Sequence, residues 1–211
     1  MPTSRSLSIR TLFSAVATLA ATCLVPVPGV AQSEGTVELT RQEEATLARE
    51  AGPANLAADA TVYVTGPDGY EVESQGTNGA SCLVSRAPNG TLEPICFDAE
   101  GTRTILPVQM ERGRMRAAGQ DEAEITARID SGLESGEFSA PSKAGIAYML
   151  SDRNLVFNGN RVVSYPPHVM VYAPFVTNED IGFDGSDGSM PWVLQEGTAH
   201  AYIMVIPRGS S

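Results

Sequence analysis

Apolar and polar residues alternate in two neighbouring segments of the chain, at residues 60–65 and 70–74. A period of two is typical of β-strands with one buried face, and residues 60–65 are also rich in β-branched side chains. The glycine- and proline-containing sequence at residues 66–69 is a strong turn signal, so we expect a β-hairpin here. Two further strand patterns follow at residues 81–86 and 93–97, separated by turn residues. Together they predict an antiparallel meander of about three or four strands.

Helical spacing occurs on both sides of this meander. Thr40, with Glu43 three positions later, matches a capping box at the start of a helix over residues 41–50. Two longer segments of good helix formers follow at residues 105–118 and 120–134. In the second of them, apolar residues recur every four positions and form one stripe (Ile125, Ile129, Leu133). The sequence therefore predicts a helical pair after the meander.

The last third of the chain contains short and almost continuously apolar runs, at residues 145–150, 168–173 and 201–206. Such runs are typical of strands that are covered on both faces, as in the middle of a sheet. The resulting order of strands, helices and strands predicts an α+β fold. We expect an antiparallel sheet with a helical pair inserted between two groups of strands.

The beginning of the chain has a different character and matches the layout of a secretory signal peptide. Arg5 and Arg10 give a positive start, and residues 12–24 form an uncharged apolar run that is too short to cross a bilayer of about 30 Å. Small residues end this segment at Ala31, after which we expect cleavage. The sequence thus predicts a signal peptide at residues 1–31.

This prediction leaves residues 32–211 as a single globular α+β domain that works in the periplasm or outside the cell. An uncleaved anchor and a lipoprotein signal, with Cys23 as the lipidated residue, are the alternatives. Thr22 disfavours the lipoprotein signal, because Gly, Ala or Ser normally precedes a lipidated cysteine. We expect no stable membrane anchor after cleavage.

Charge limits the range of partners. The formal net charge is −11 at pH 7, and removal of Arg5 and Arg10 would make the exported part more acidic still. Phosphate backbones and anionic lipid surfaces repel such a chain. We therefore expect no nucleic-acid partner and no peripheral binding to membranes.

The cysteines predict one disulfide bond. Loss of Cys23 with the signal peptide leaves Cys82 and Cys96, which lie on candidate neighbouring strands. In an oxidising compartment an even number of cysteines favours a bridge between them. The functional alternative is a reactive thiolate activated by His168, which export disfavours because a free thiol would be oxidised.

Three short motifs occur in order along most of the exported part. They are Thr-Asn-Gly at residues 77–79 ahead of Cys82, Tyr-Met-x-Ser at residues 148–151, and Pro-His-x-Met-x-Tyr-Ala-Pro at residues 167–174. This set resembles a group of uncharacterised secreted bacterial proteins that carry the same segments. The resemblance implies secretion and a common fold, and the group has no established activity. Some members have a second histidine just before the Pro-His pair, where this chain has Ser-Tyr-Pro at residues 164–166, and this departure weakens the case for carrying a metal site over from the group.

His168 is the most informative single residue for chemistry, as one of only two histidines in the chain. It follows a Pro-Pro corner and opens an apolar strand, so its side chain can project into a cleft. A neutral imidazole there can act as a general base or a metal ligand, or it can simply hold the corner by a hydrogen bond. We take as the candidate pocket His168, Tyr172, Tyr148, Ser151 and Asn78.

The sequence does not predict a metal site or a cofactor. His200, with an acid such as Glu196 or Asp180, could hold zinc together with His168, but no fixed-spacing signature such as H-E-x-x-H is present. The acidic loop at residues 184–189 lacks the ligand order of a calcium loop and is expected to be a solvated turn. The methionines of the apolar strands are expected to fill gaps in the core rather than bind copper (Met149, Met170, Met204).

Signatures of common enzyme classes are missing from the sequence, which has no G-x-S-x-G elbow, no P-loop and no G-x-G-x-x-G. We therefore expect a non-enzymatic binding or structural module whose partner is a small molecule or a component of the cell envelope. The alternative is a histidine- or metal-dependent hydrolase centred on His168.

Overall fold

A computed structural model describes residues 37–187 and 190–207, and within them the chain forms five helices and ten strands. The N-terminal part contains α1 (Arg41–Glu50), α2 (Ala54–Ala57), β1 (Thr61–Gly66), β2 (Gly69–Ser74), β3 (Ser81–Arg86) and β4 (Leu92–Phe97). The middle contains α3 (Ala99–Thr104), α4 (Leu106–Ala117) and α5 (Glu122–Glu134). The C-terminal part contains β5 (Ile146–Met149), β6 (Leu155–Phe157), β7 (Val162–Ser164), β8 (His168–Tyr172), β9 (Trp192–Leu194) and β10 (Tyr202–Val205). The predicted signal peptide at residues 1–31 lies outside the described residues.

These strands form one open sheet. Eight of them follow the order β2-β1-β3-β4-β5-β8-β10-β9, and β6 pairs with both β4 and β7. The sheet is mostly antiparallel, with β1 and β3 as a parallel pair. A mostly antiparallel sheet accompanied by helices is an α+β fold, as predicted.

The parallel pair departs from the predicted antiparallel meander. β2 returns along the outer side of β1, and the link at residues 75–80 then brings the chain back to the start of β1 on its other side. Gly76 in this link lies against the backbone of Thr61, where a side chain would collide. The amide of Thr77 donates to the carbonyl of Asp59 at 2.8 Å. This close crossing makes β3 enter the sheet parallel to β1.

Polar side chains cap the first turn of three helices, α1, α3 and α5. The predicted capping box starts α1, since Thr40 accepts from the amide of Glu43 and the Glu43 carboxylate accepts from the amide of Thr40. Asp121 starts α5 with a second capping box. Asp98 accepts from the amide of Gly101 and starts α3, a short helix that the sequence pattern did not predict. The chain between β4 and β5 therefore forms three helices instead of the expected pair.

Different helices cover the two faces of the sheet. On the first, which we call the α1 face, Leu47 of α1 packs in a buried cluster with Val62 and Val84. Neighbouring strand positions point to the opposite face, because successive side chains along a strand alternate. On that face, which we call the α4 face, Leu106 of α4 packs with Leu83 in a second cluster. α5 lies outside α4, and a third cluster joins these two helices.

One feature of the structure bears on the predicted location. The predicted disulfide bond between Cys82 and Cys96 is confirmed, and it joins directly paired positions of β3 and β4. Such a bond is compatible with an extracellular or periplasmic protein. Among the helices of residues 37–187 and 190–207, none is long and apolar enough to cross a membrane.

Candidate ligand-binding cavity

A cavity of about 320 Å³ lies on the α4 face, and most of its lining residues come from the strands from β3 to β9 in the sheet order. This volume is near the lower end of the range of small-ligand sites, which is roughly 300–1,000 Å³. Its main apolar lining residues are Ile95, Met149, Met170, Trp192, Tyr202 and Met204. Its polar lining residues are Ser85, Glu93, Gln109, Tyr165, His168 and Gln195.

The strand register brings these side chains to one surface. Met149 of β5 pairs directly with His168 of β8, and Met170 of β8 pairs directly with Met204 of β10. Met204 in turn pairs with Trp192 of β9. Because paired residues point to the same side of a sheet, the five side chains share the α4 face.

His168 is held in one orientation at the edge of the cavity. The side chain is 1 % exposed, and its Nδ1 lies 2.8 Å from the carbonyl oxygen of Pro166. A carbonyl oxygen can only accept, so Nδ1 carries the proton and Nε2 is left as an acceptor. The ring of Tyr165 contacts the imidazole edge-on, with 5.1 Å between the ring centroids. Burial lowers the pKa of His168, so the neutral imidazole is the form present at pH 7.

The cavity also contains a carboxyl group with an altered pKa. Glu93 lies on β4, paired with Ser85 of β3, and both side chains line the cavity. Burial raises the pKa of Glu93 to about 6, although the guanidinium of Arg116 acts in the opposite direction. The site therefore combines a neutral imidazole with a carboxyl group that ionises close to neutral pH.

Of the predicted pocket residues, Tyr172 shares the face of His168, two positions along the same strand. Its ring packs 6.1 Å from that of Tyr202, measured between centroids. The Tyr172 hydroxyl lies against Gly101 of α3, so this side chain fills the core beneath α3. Burial, with the nearby Asp98 carboxylate, raises the pKa of Tyr172. Tyr172 thus packs beside the cavity without lining it.

Tyr148 lies on the opposite side of the sheet from His168. It pairs with Cys96 and packs with the buried cluster of the α1 face. The reason is strand alternation, since Tyr148 precedes Met149 and the two side chains point in opposite directions. Tyr148 therefore cannot contribute to a pocket around His168.

Ser151 and Asn78 also have local structural partners. The Ser151 hydroxyl lies 3.3 Å from the Glu50 carboxylate at the end of α1. The amide group of Asn78 donates to the carbonyl of Leu56 at 2.8 Å, and its oxygen accepts from the amide of Ala80 at 3.0 Å. Ser151 thus ties the segment after β5 to α1, and Asn78 ties the link between β2 and β3 to α2. Of the expected pocket residues, His168 is the one that lines this cavity, and their role in binding stays a prediction.

The other residues considered for a zinc site, His200, Glu196 and Asp180, each make hydrogen bonds of their own. His200 is buried with its Nε2 3.1 Å from the carbonyl of Ser139. The Glu196 carboxylate accepts from Asn178, and Asp180 accepts from Thr177. Within the part of the chain that the structure describes, there is no group of three or more His, Cys, Asp or Glu side chains that could hold a metal ion.

Sequence reasoning missed two prominent cavity residues. Glu93 shares its face of β4 with Ile95 and Phe97, and a charged residue at an inward position of an apolar strand is a usable signal for a buried polar site. Trp192 lies outside the segments that the sequence predicts as strands, and β9 is only three residues long. Its place in the cavity depends on pairing with β10, which a local pattern does not reveal.

Comparison with known proteins found no family model that matches the chain, no matching curated protein and no matching solved structure.

Proposed function

We propose that this is an exported, non-enzymatic binding module whose ligand site is the cavity beside His168. The observation that carries the proposal is a buried, neutral imidazole whose Nε2 is available as an acceptor in an otherwise largely apolar cavity. No hydrogen bond in the described part of the chain uses this nitrogen, so a ligand that enters the cavity can bind to it.

Export is supported by the sequence pattern of residues 1–31 and by the disulfide bond between Cys82 and Cys96. The acidic composition favours a solvated surface without affinity for nucleic acids or anionic membranes. The partner of the module is accordingly a small molecule or ion, or a component of the cell envelope.

A binding role is favoured over catalysis by the hydrogen bonds of the histidine. In the described part of the chain, His168 is joined to a backbone carbonyl and to no hydroxyl, thiol or carboxylate. Nucleophilic catalysis needs a nucleophile bonded to its base and a group that orients the base. The cysteines form a disulfide, and Ser151 lies at the end of α1.

Glu93 gives one specific reason to retain a histidine-dependent hydrolase as the second candidate. A carboxyl group with a pKa of about 6 can exchange protons with substrate near neutral pH, and His168 shares its cavity. Chromogenic ester, phosphate, peptide and glycoside substrates test this candidate. Turnover by the wild-type protein that His168→Gln and Glu93→Gln both abolish would replace the binding role with catalysis.

The test of the binding site uses N-phenyl-1-naphthylamine, a neutral apolar dye whose emission rises when it leaves water. Trp192 is the only tryptophan of the chain and lines the cavity, so energy transfer from its indole reports binding at this site. The blocking variant is Gln109→Phe, which adds a ring to the cavity wall. Its matched control is Gln42→Phe, at an exposed position of α1.

We expect saturable binding of the dye by the wild-type protein and by Gln42→Phe, with a clear loss of affinity for Gln109→Phe. Equal affinity of all three proteins, or no saturable binding by the wild-type protein, would contradict the proposal.

A further inference from the structure

We infer that the ligand of the cavity is a soft monovalent metal ion, Cu(I), bound by the Nε2 of His168 and the thioether sulfurs of Met149, Met170 and Met204. This inference rests on the proposed function, because it names the ligand of the same site. The four residues form two directly opposed pairs on three adjacent strands, Met149 with His168 and Met170 with Met204.

The spacing of these pairs suits a single ion. Directly opposed residues of antiparallel strands have Cβ atoms about 4.5–5.5 Å apart, and diagonal neighbours are about 7–8 Å apart. Met149 and Met204 are farther apart, because β8 lies between their strands, so both side chains have to extend over β8 to reach one ion. His168 and Met170 occupy alternate positions of β8, so they also share the face. Methionine has three rotatable side-chain bonds, which allows sulfurs from such positions to turn toward one imidazole nitrogen. All four side chains line the same cavity.

The donor set matches Cu(I) chemically. Thioether sulfur is a soft ligand that selects Cu(I) over the hard cations, and imidazole nitrogen also suits copper. Neither kind of donor has to lose a proton here, because His168 is neutral and its proton is on Nδ1. The hydrogen bond from Nδ1 to Pro166 is an outer-shell contact of the type that orients a metal-binding imidazole.

The rest of the cavity disfavours other metals. Glu93 is the one carboxylate among its lining residues, whereas Ca²⁺ and Mg²⁺ need several oxygen ligands. The cysteines cannot supply thiolate for zinc, since they form a disulfide. Trp192 pairs with Met204 and offers an aromatic surface beside the methionines, which attracts a cation.

The positions of the other methionines provide matched controls. Met115 is buried in the cluster between α4 and α5, and Met190 is 46 % exposed outside the cavity. If methionine served only to fill gaps, all of these sites would behave alike toward copper. Leucine has nearly the same volume as methionine, so Met→Leu removes the sulfur and largely preserves packing.

The experiment is an anaerobic titration of the exported protein with Cu(I), supplied as its bicinchoninate complex without thiol reductant so that the disulfide stays closed. Transfer of copper is read from the absorbance of the complex and from quenching of Trp192 emission. We expect one equivalent to bind to the wild-type protein. His168→Gln and each of Met149→Leu, Met170→Leu and Met204→Leu should lower the affinity at least about tenfold, since loss of even an outer-shell partner costs about 10–100-fold.

Met115→Leu and Met190→Leu should keep the affinity of the wild-type protein. Ag(I), a soft ion of the same charge, should compete with Cu(I), and Zn(II) should not. Dye binding and the thermal midpoint of each Met→Leu variant show whether its cavity and fold remain intact.

The inference is overturned if the wild-type protein binds Cu(I) no more tightly than the triple variant of the cavity methionines, or if the control variants lose affinity equally. If the wild-type protein binds the dye but not Cu(I), and Gln109→Phe abolishes dye binding, the metal is rejected and the proposed function is kept. If the wild-type protein binds neither Cu(I) nor the dye, the proposed function is rejected as well.

Discussion

Met149 and His168 lie directly opposite each other on neighbouring strands, and both side chains line the same cavity. The preceding residue, Tyr148, points to the other face and packs under α1. One step along a strand thus separates a cavity residue from a core residue. The methionine, rather than the tyrosine, is the member of the Tyr-Met-x-Ser segment that can meet the histidine.

Reduction of the disulfide is expected to destabilise the fold. The bond between Cys82 and Cys96 closes a loop with a sequence separation of 14, and closing a loop of this size contributes about 3 kcal/mol in the chain-entropy model. For a domain of this size, we expect the thermal midpoint to fall by roughly 6–12 °C after treatment with a phosphine reductant. Cys82→Ser with Cys96→Ser should show the same fall and no response to reductant. An unchanged midpoint would contradict this stabilising role.

Stability should decrease on acidification because of His168. Burial lowers the folded pKa, so below the unfolded value of about 6.5 the unfolded chain binds a proton that the folded chain does not. The stability that His168 contributes is therefore complete above about pH 6.5 and is lost as the pH falls toward and through its folded pKa. His168→Gln should flatten this part of the profile of urea midpoints. His200, also buried with a lowered pKa, acts in the same direction, so His168→Gln with His200→Gln should flatten it further. A profile unaffected by either substitution would show that the histidines are not buried in neutral form.

Unlike His168, Glu93 should lower the stability of the fold as the pH rises, and it should do so in a lower pH range. Its folded pKa of about 6 is above the ordinary value of 4.5, so between these values the folded chain holds a proton that the unfolded chain has released. Stability is therefore lost as the pH rises from about 4.5 to about 6. Glu93→Gln should remove this loss and stabilise the protein at pH 7 by up to about 2 kcal/mol. Glu134→Gln, at the exposed end of α5, is the control for the loss of one carboxylate. A less stable Glu93→Gln protein at pH 7 would indicate a favourable contact of the carboxylate.

The link between β2 and β3 passes so close to the start of β1 that it should tolerate no side chain at Gly76. A Cβ atom there meets the backbone of Ala60 and Thr61, which cannot move without displacing β1. We expect Gly76→Ala to destabilise the fold by about 3 kcal/mol, as overpacking of a rigid site does. Gly159→Ala is the comparison, because this glycine has a φ of 90° but no atoms within 4 Å of an added Cβ. It should cost only the backbone strain of about 1–2 kcal/mol. Equal losses of stability in urea unfolding would contradict the close crossing.

Local signals were enough for part of this fold. The capping box of Thr40 and Glu43 and the disulfide between Cys82 and Cys96 depend on residues near each other in the chain, and both are present as predicted. Strand order and register are different, because they depend on which distant segments pair. The parallel pair of β1 and β3 was not predicted for this reason.

The same limit applies to the site. His168 was identified from the sequence, but the residues facing it are set by pairing with β5 and by the position of β10 beyond β8. The methionines were correctly placed on apolar strands, yet only the register shows that three of them share a face of the sheet and a cavity with His168. A motif identifies residues that occur together in a sequence, but the face of the sheet on which each side chain lies depends on the strand register.

The most direct test of the account is the nitrogen NMR spectrum of the imidazoles before and after one equivalent of Cu(I). The chain has two histidines, so His200 serves as an internal reference in the same sample. We predict that Nε2 of His168 changes its chemical shift strongly, while its Nδ1 remains protonated toward Pro166 and both nitrogens of His200 keep their positions. Unchanged His168 signals, or equal changes in both histidines, would contradict the assignment of His168 Nε2 as the atom that binds the ligand.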